Sequence, residues 1–153
     1  MGLAIMIRPI PPVLFLLSIF GMVLLDRYVP IRAIGLGRWA WLSWVFVALG
    51  LVLPIWGIVT FRFHRTRIHP GEGHASTVVT TGPYRFTRNP MYLGMILILI
   101  GGALRLGSVS PWFMLPIFGL AITRLWIRRE EGWMSEAFGD TYEHYRSKVR
   151  RWI

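Results

Sequence analysis

The stretch from Asn89 to Glu131, NPMYLGMILILIGGALRLGSVSPWFMLPIFGLAITRLWIRREE, decides the architecture. It holds two apolar runs, Pro90 to about Leu106 and Pro111 to Ile127, with Arg105 and Arg124 near their ends. Gly107-Ser108-Val109-Ser110 lies between them and reads as a turn. Asn89-Pro90 and Ser110-Pro111 each look like an N-cap followed by proline at the first helical position. The pattern predicts an antiparallel helical hairpin with arms of about 27–30 Å, one hydrocarbon thickness. Folding back at the turn brings Arg85, Arg88, Asn89 and Tyr92 to the same level as Arg128, Arg129, Glu130 and Glu131.

Two further apolar blocks precede the hairpin. The first runs from about Ile10 to Leu25 and opens with Pro11-Pro12, where a helix tolerates proline. The second, Trp39 to Phe61, carries no charge. Trp39, Trp41 and Trp44 mark one of its ends and Trp56 lies nearer the other, as in an interfacial belt. Pro54 is expected to kink it. The sequence therefore predicts an all-α, polytopic membrane protein in a single domain over 1–153, with about four spans near 10–26, 39–61, 90–107 and 111–131. After Gly139, Tyr142, Tyr145, Val149 and Trp152 recur at helical spacing among Arg146, Lys148, Arg150 and Arg151. That stripe predicts an interfacial amphipathic helix, more an anchor in the headgroups than a lid over a ligand.

Composition agrees with the membrane class. Of 153 residues 54% are hydrophobic and 16% charged, too little charge for the surface of a soluble domain of this size. The net charge of +10 follows the spans. If both termini and the 62–88 loop face the cytoplasm, thirteen basic residues lie on that side against four on the other, which fixes the expected orientation. The arginines flank spans and form no separate basic domain, so nucleic acid is not an expected partner. The absence of cysteine excludes disulfides, iron–sulfur clusters and thiol nucleophiles. The first block has no small-residue cleavage site after it and is read as a retained span.

The hairpin mouth combines arginines, a carboxylate pair and a helix N-terminus, whose free N–H groups attract anions. A zwitterion fits such a mouth, with Arg for its carboxylate and Glu for its ammonium. A salt bridge from Arg88 to Glu130 or Glu131, closing the hairpin, fits equally well. The two glutamates lie about 100° apart on a helix, so one of them is expected to face a shared pocket. Elsewhere the signals are weaker. His69, Glu72 and His74 sit in a polar loop and make a poor metal site, so no metal is expected; His74 near a cofactor is a softer expectation. Gly94, Gly101 and Gly102 are expected to allow close helix approach. Arg105 and Arg124 are expected to snorkel.

Gly82-Pro83-Tyr84-Arg85-Phe86-Thr87-Arg88-Asn89-Pro90-Met91-Tyr92-Leu93-Gly94 resembles the signature of the isoprenylcysteine carboxyl methyltransferases and their phospholipid methyltransferase relatives, in the branch with R-N-P-x-Y. The Glu130-Glu131 pair and Phe138-Gly139-Asp140-x-Tyr142-x-x-Tyr145 resemble later family elements, so the likeness covers about 77–150. The resemblance implies a helix bundle binding S-adenosylmethionine at the cytosolic interface. It implies a cofactor pocket formed by Gly82, Tyr84, Arg88, Asn89, Tyr92, Glu130 and Glu131, with no catalytic base marked. The methyl acceptor would be a lipophilic small molecule or lipidated substrate from the bilayer, methylated on a carboxylate or an amine. Isoprenylcysteine enzymes have His where Asn89 stands; Asn still hydrogen-bonds but does not titrate. Two other classes fit part of the pattern: a nicotinamide-dependent membrane reductase and a non-catalytic membrane module. The paired glutamates would repel the phosphates that the reductase must bind.

Overall fold

The computed structural model describes residues 10–33, 37, 40–64 and 77–153. The chain forms α1 (Ile10–Tyr28), α2 (Trp41–Phe63), α3 (Pro90–Leu106), α4 (Met114–Ile122), α5 (Arg128–Phe138) and α6 (Asp140–Lys148). A short 3-10 turn at Ser110–Phe113 leads into α4, and a π turn at Thr123–Ile127 joins α4 to α5. The whole of Ser110–Phe138 is thus one rod. Among the described residues there is no strand, only an isolated bridge between Ala33 and Ser108.

Among the described residues three helices are long and apolar enough to cross a membrane: Pro11–Tyr28, Trp41–Phe63 and Ser110–Phe138. The fold is therefore the expected all-α membrane bundle. α3 has 17 residues, about 25 Å of helix, and lies along α2, so it covers the same depth. Leu16, Phe20, Trp44, Leu51 and Ile55 are exposed on α1 and α2. Such a surface suits lipid and would be unstable in water.

α2 and α3 approach closely through small residues. A Cβ on Gly50 would come within 2.6 Å of the Gly94 carbonyl oxygen, and one on Gly94 within 2.6 Å of the Gly50 carbonyl oxygen. A Cβ on Gly101 would meet the Ser43 carbonyl oxygen at 2.7 Å. Gly94 and Gly101 thus have the role expected of them. Gly102 has ordinary clearance from Met22. A second core, of Met22, Leu99, Ala103, Phe118 and Ile122, joins α1, α3 and α4.

The hairpin forms as the sequence predicts, but its two expected caps do something else. Gly107 turns the chain at φ +82°, and its N–H donates to the Ala103 carbonyl. Neither Asn89 nor Ser110 caps its helix with its side chain. The Ser110 hydroxyl donates to the Val29 carbonyl and accepts from the Ile31 N–H. The Asn89 amide is taken by the C-terminal segment, donating to the Arg151 carbonyl at 3.0 Å. At Ser110 the Ile31 N–H replaces the local N–H that a cap would have bound, and at Asn89 the side chain is held by an acceptor outside its own helix.

The π turn has no marker in the apolar pattern. Within it the Thr123 hydroxyl donates to the Gly119 carbonyl at 2.6 Å, competing with the backbone there. The turn buries Trp126 and Ile127 together.

Candidate active site at the hairpin mouth

The mouth is assembled from four pieces. A 3-10 turn at Gly82–Arg85 places Tyr84, which stacks edge-on against Phe61 of α2 with centroids 5.1 Å apart. The loop into α3 brings Arg88 and Asn89, and the first turn of α3 brings Tyr92. The start of α5 brings Glu130 and Glu131. α6 closes the side with Tyr142 and Tyr145. Together they line a pocket of about 900 Å³, its open mouth included, walled on the apolar side by Val78, Val79, Met134 and Phe138.

The two glutamates differ sharply. Glu130 Oε1 accepts from the Tyr92 hydroxyl at 3.0 Å and from the Trp126 indole N–H at 2.9 Å. Glu131 is buried and fully engaged by arginine. Its Oε1 lies 3.2 Å from Arg88 Nη2 and accepts from Arg151 Nε at 2.9 Å; its Oε2 accepts from Arg151 Nη2 at 2.6 Å. Both acids reach the pocket wall, where one was expected. The salt bridge left open in the sequence is present, between Arg88 and Glu131.

Arg88 is not exhausted by that contact. Its Nε and Nη1 are buried and have no hydrogen-bond partner among the described residues. A buried donor left unpaired costs about 1–3 kcal/mol, more for a charged group.

The C-terminal segment holds the loop that carries Arg88. The Arg88 N–H donates to the Arg150 carbonyl at 3.1 Å, and the Thr87 hydroxyl and Asn89 amide both donate to the Arg151 carbonyl. Tyr145 donates to the Tyr84 carbonyl at 2.8 Å. Burial pushes the Tyr84 and Tyr145 phenols well above the usual tyrosine range, aided at Tyr84 by Tyr145 and Glu130 and at Tyr145 by Tyr142, so both remain neutral.

Of the residues singled out in the sequence, Tyr84, Arg88, Asn89, Tyr92, Glu130 and Glu131 line this one pocket. Gly82 does not. Its φ is +60°, and a Cβ there would meet Thr60 Oγ1 at 2.5 Å, so its bareness serves the seat of the turn on α2. His69, Glu72 and His74 lie outside the described residues. The sequence reading missed Trp126, although its spacing of four from Glu130 places the two on one face. It also turned Tyr142 and Tyr145 outward. α6 is amphipathic as expected, but its aromatic face is covered by protein, not by headgroups, because Tyr145 finds its partner on the Tyr84 turn. Nothing in the pattern pointed to the Arg151 side chain.

A model of the phospholipid methyltransferase family matches residues 38–141, most of the chain. The chain belongs to the phospholipid methyltransferase family. It is a membrane methyltransferase. The family match takes in Tyr84, Arg88, Asn89, Tyr92 and both glutamates, and stops short of Tyr142, Tyr145 and Arg151. A protein-S-isoprenylcysteine O-methyltransferase of Schizosaccharomyces pombe is 33% identical over 75 residues, 47% of this chain and 30% of that enzyme's own length. An uncharacterised protein of Haemophilus influenzae is 44% identical over 63 residues, 41% of this methyltransferase and the whole of that protein. No solved structure matches it significantly.

Proposed function

We propose that this methyltransferase binds S-adenosylmethionine in the mouth pocket, on the cytoplasmic side, and methylates a lipophilic acceptor drawn from the bilayer. The observation that carries the reading is the pair of buried, unpartnered Arg88 donors. A guanidinium with two N–H donors to spare fits an anionic acceptor, such as the carboxylate of the cofactor's amino acid. Glu130 lines the same pocket and offers negative charge to the ammonium of that amino acid. The cofactor supplies a methyl group already attached to a sulfonium, a good leaving group.

The protein's own residues hold and align. Arg88 and Glu130 grip opposite charges of one zwitterion, which fixes its direction in the pocket. Tyr92 and Trp126 donate to Glu130 and keep its carboxylate in place. Val78, Val79, Met134 and Phe138 keep water from the reacting face. A carboxylate acceptor needs no general base, whereas an amine acceptor gives up a proton. An acceptor from the bilayer is supported by the spanning helices and by the fission-yeast relative, which is named for O-methylation of an isoprenylcysteine. The excess of basic residues at the mouth end supports the cytoplasmic orientation.

Isothermal calorimetry with S-adenosylhomocysteine on the detergent-solubilised protein tests the reading. Saturable binding and a raised melting temperature are expected, since a ligand of the folded form alone stabilises it. Absence of both sinks the proposal. NADPH is expected not to displace the ligand; displacement would favour a reductase.

A further inference from the structure

One charged side chain at the mouth, that of Arg151, lies beyond the family match. Arg151 grips Glu131 with a two-pronged contact, Nε to Oε1 at 2.9 Å and Nη2 to Oε2 at 2.6 Å. Arg88 touches the same carboxylate with Nη2 alone, at 3.2 Å. The distances rank the two partners: Glu131 belongs to Arg151 first and to Arg88 second.

That ranking determines what Arg88 has left. A buried carboxylate needs both oxygens satisfied. With Arg151 holding both, one contact from Arg88 completes Glu131, and Arg88 Nε and Nη1 stay unpaired in the pocket. Without Arg151, Oε2 would be bare, and Arg88 is the remaining cation in contact with this carboxylate. A second Arg88 nitrogen would turn to it in the preferred fork geometry. The charge also changes. Arg88, Arg151 and Glu131 together carry one net positive charge, whereas Arg88 and Glu131 alone carry none.

We infer that Arg151 is a positioning residue for cofactor binding: it occupies Glu131 so that Arg88 keeps its remaining donors for the carboxylate of the methyl donor. The inference rests on the pocket's assignment to S-adenosylmethionine. Arg151 acts only through Glu131 and Arg88. Its backbone has a separate task, since the carbonyls of Arg150 and Arg151 take the Arg88 N–H, the Thr87 hydroxyl and the Asn89 amide. Replacing the side chain leaves those bonds available, so the tail stays docked.

The test compares two ligands on one protein. S-adenosylhomocysteine has the carboxylate; methylthioadenosine keeps the adenosine and sulfur and lacks the amino acid. The ratio of their affinities reports the contacts of the amino acid, its carboxylate among them. In Arg151→Gln the preference for S-adenosylhomocysteine is expected to fall by about tenfold or more, the worth of one charge-assisted hydrogen bond, with methylthioadenosine binding unchanged. Arg151→Lys, which keeps the charge and loses the fork, is expected to fall between wild type and Arg151→Gln. A merely structural Arg151 would weaken both ligands in proportion, and an unchanged ratio in Arg151→Gln overturns the inference. If that variant does not fold, Arg151→Lys decides by the same ratio. A wild-type protein that shows no preference for S-adenosylhomocysteine contradicts the assignment of the pocket, a failure distinct from that of Arg151.

Discussion

The two ends of the α3–α4 hairpin use polar residues in opposite ways. At the turn, Ser108 donates to Asp26 at 2.6 Å, Ser110 links Val29 and Ile31, and the Val109 N–H finds the carbonyls of Ile31 and Arg32. Every one of these groups is matched within the protein. At the mouth, Glu131 is matched to excess while Arg88 retains two donors with nothing to hold among the described residues. Unsatisfied polar groups are costly away from water. A closed cluster is a fastener, and an open one still has donors to offer. Burial alone does not separate them; the tally of donors and acceptors does.

The contrast can be broken at its support first. Gly94→Val would press a side chain into the Gly50 carbonyl and Pro54 and force α2 from α3. The expected cost is about 3 kcal/mol or more. Size-exclusion profiles in detergent should show loss of the monodisperse protein, with both ends affected together. A folded variant with normal ligand affinity would mean that the glycine seam does not hold the mouth in register.

Arg88→Met then tests the open end alone. It removes the unpaired donors while Arg151 still satisfies Glu131. Affinity for S-adenosylhomocysteine should drop by about 100-fold or more, as two charge-assisted hydrogen bonds are lost. The melting temperature without ligand should hardly move. A large loss of stability with little loss of affinity would reverse the roles assigned to the two ends.

Ser108→Ala is the converse at the closed end. It strips Asp26 of its partner and should cost about 1–3 kcal/mol of stability. Ligand affinity measured by calorimetry should stay the same, and a drop would show that the two ends are coupled.

The smallest effect is expected from pH. Burial holds the Tyr145 phenol above its ordinary value in the folded protein. A raised pKa of this kind contributes stability below the ordinary tyrosine range and loses it as pH rises through about 10 and beyond. Tyr145→Phe should flatten the alkaline fall in melting temperature by a few degrees. An identical fall in the variant would assign it to other groups.

Much of this arrangement was legible in the sequence because it depends on long, coarse signals. Two apolar runs around Gly107–Ser110 are enough to fold Glu130 back beside Tyr92. What escaped depends on competition between partners. Asn89 and Ser110 stand where caps stand, yet each is claimed by a segment far away in the chain. Tyr142 and Tyr145 carry the spacing of a surface helix, and only the location of the Tyr84 turn shows which way they face. Arg151 looks like one more basic residue in a basic tail, and its value lies in which carboxylate it reaches first.

The π turn at Thr123–Ile127 takes up one residue more than an α turn would before the chain reaches the candidate site. Wound as ordinary α-helix, the same residues would swing everything after them by about 100° about the axis. Glu130 would leave Tyr92 and Glu131 would leave Arg151 without any acidic or basic group having been replaced. Homologous chains one residue shorter in this stretch can close the turn to ordinary α-helix and keep the charged residues of the mouth in place, so such chains should be compared by their spacing on either side of the turn.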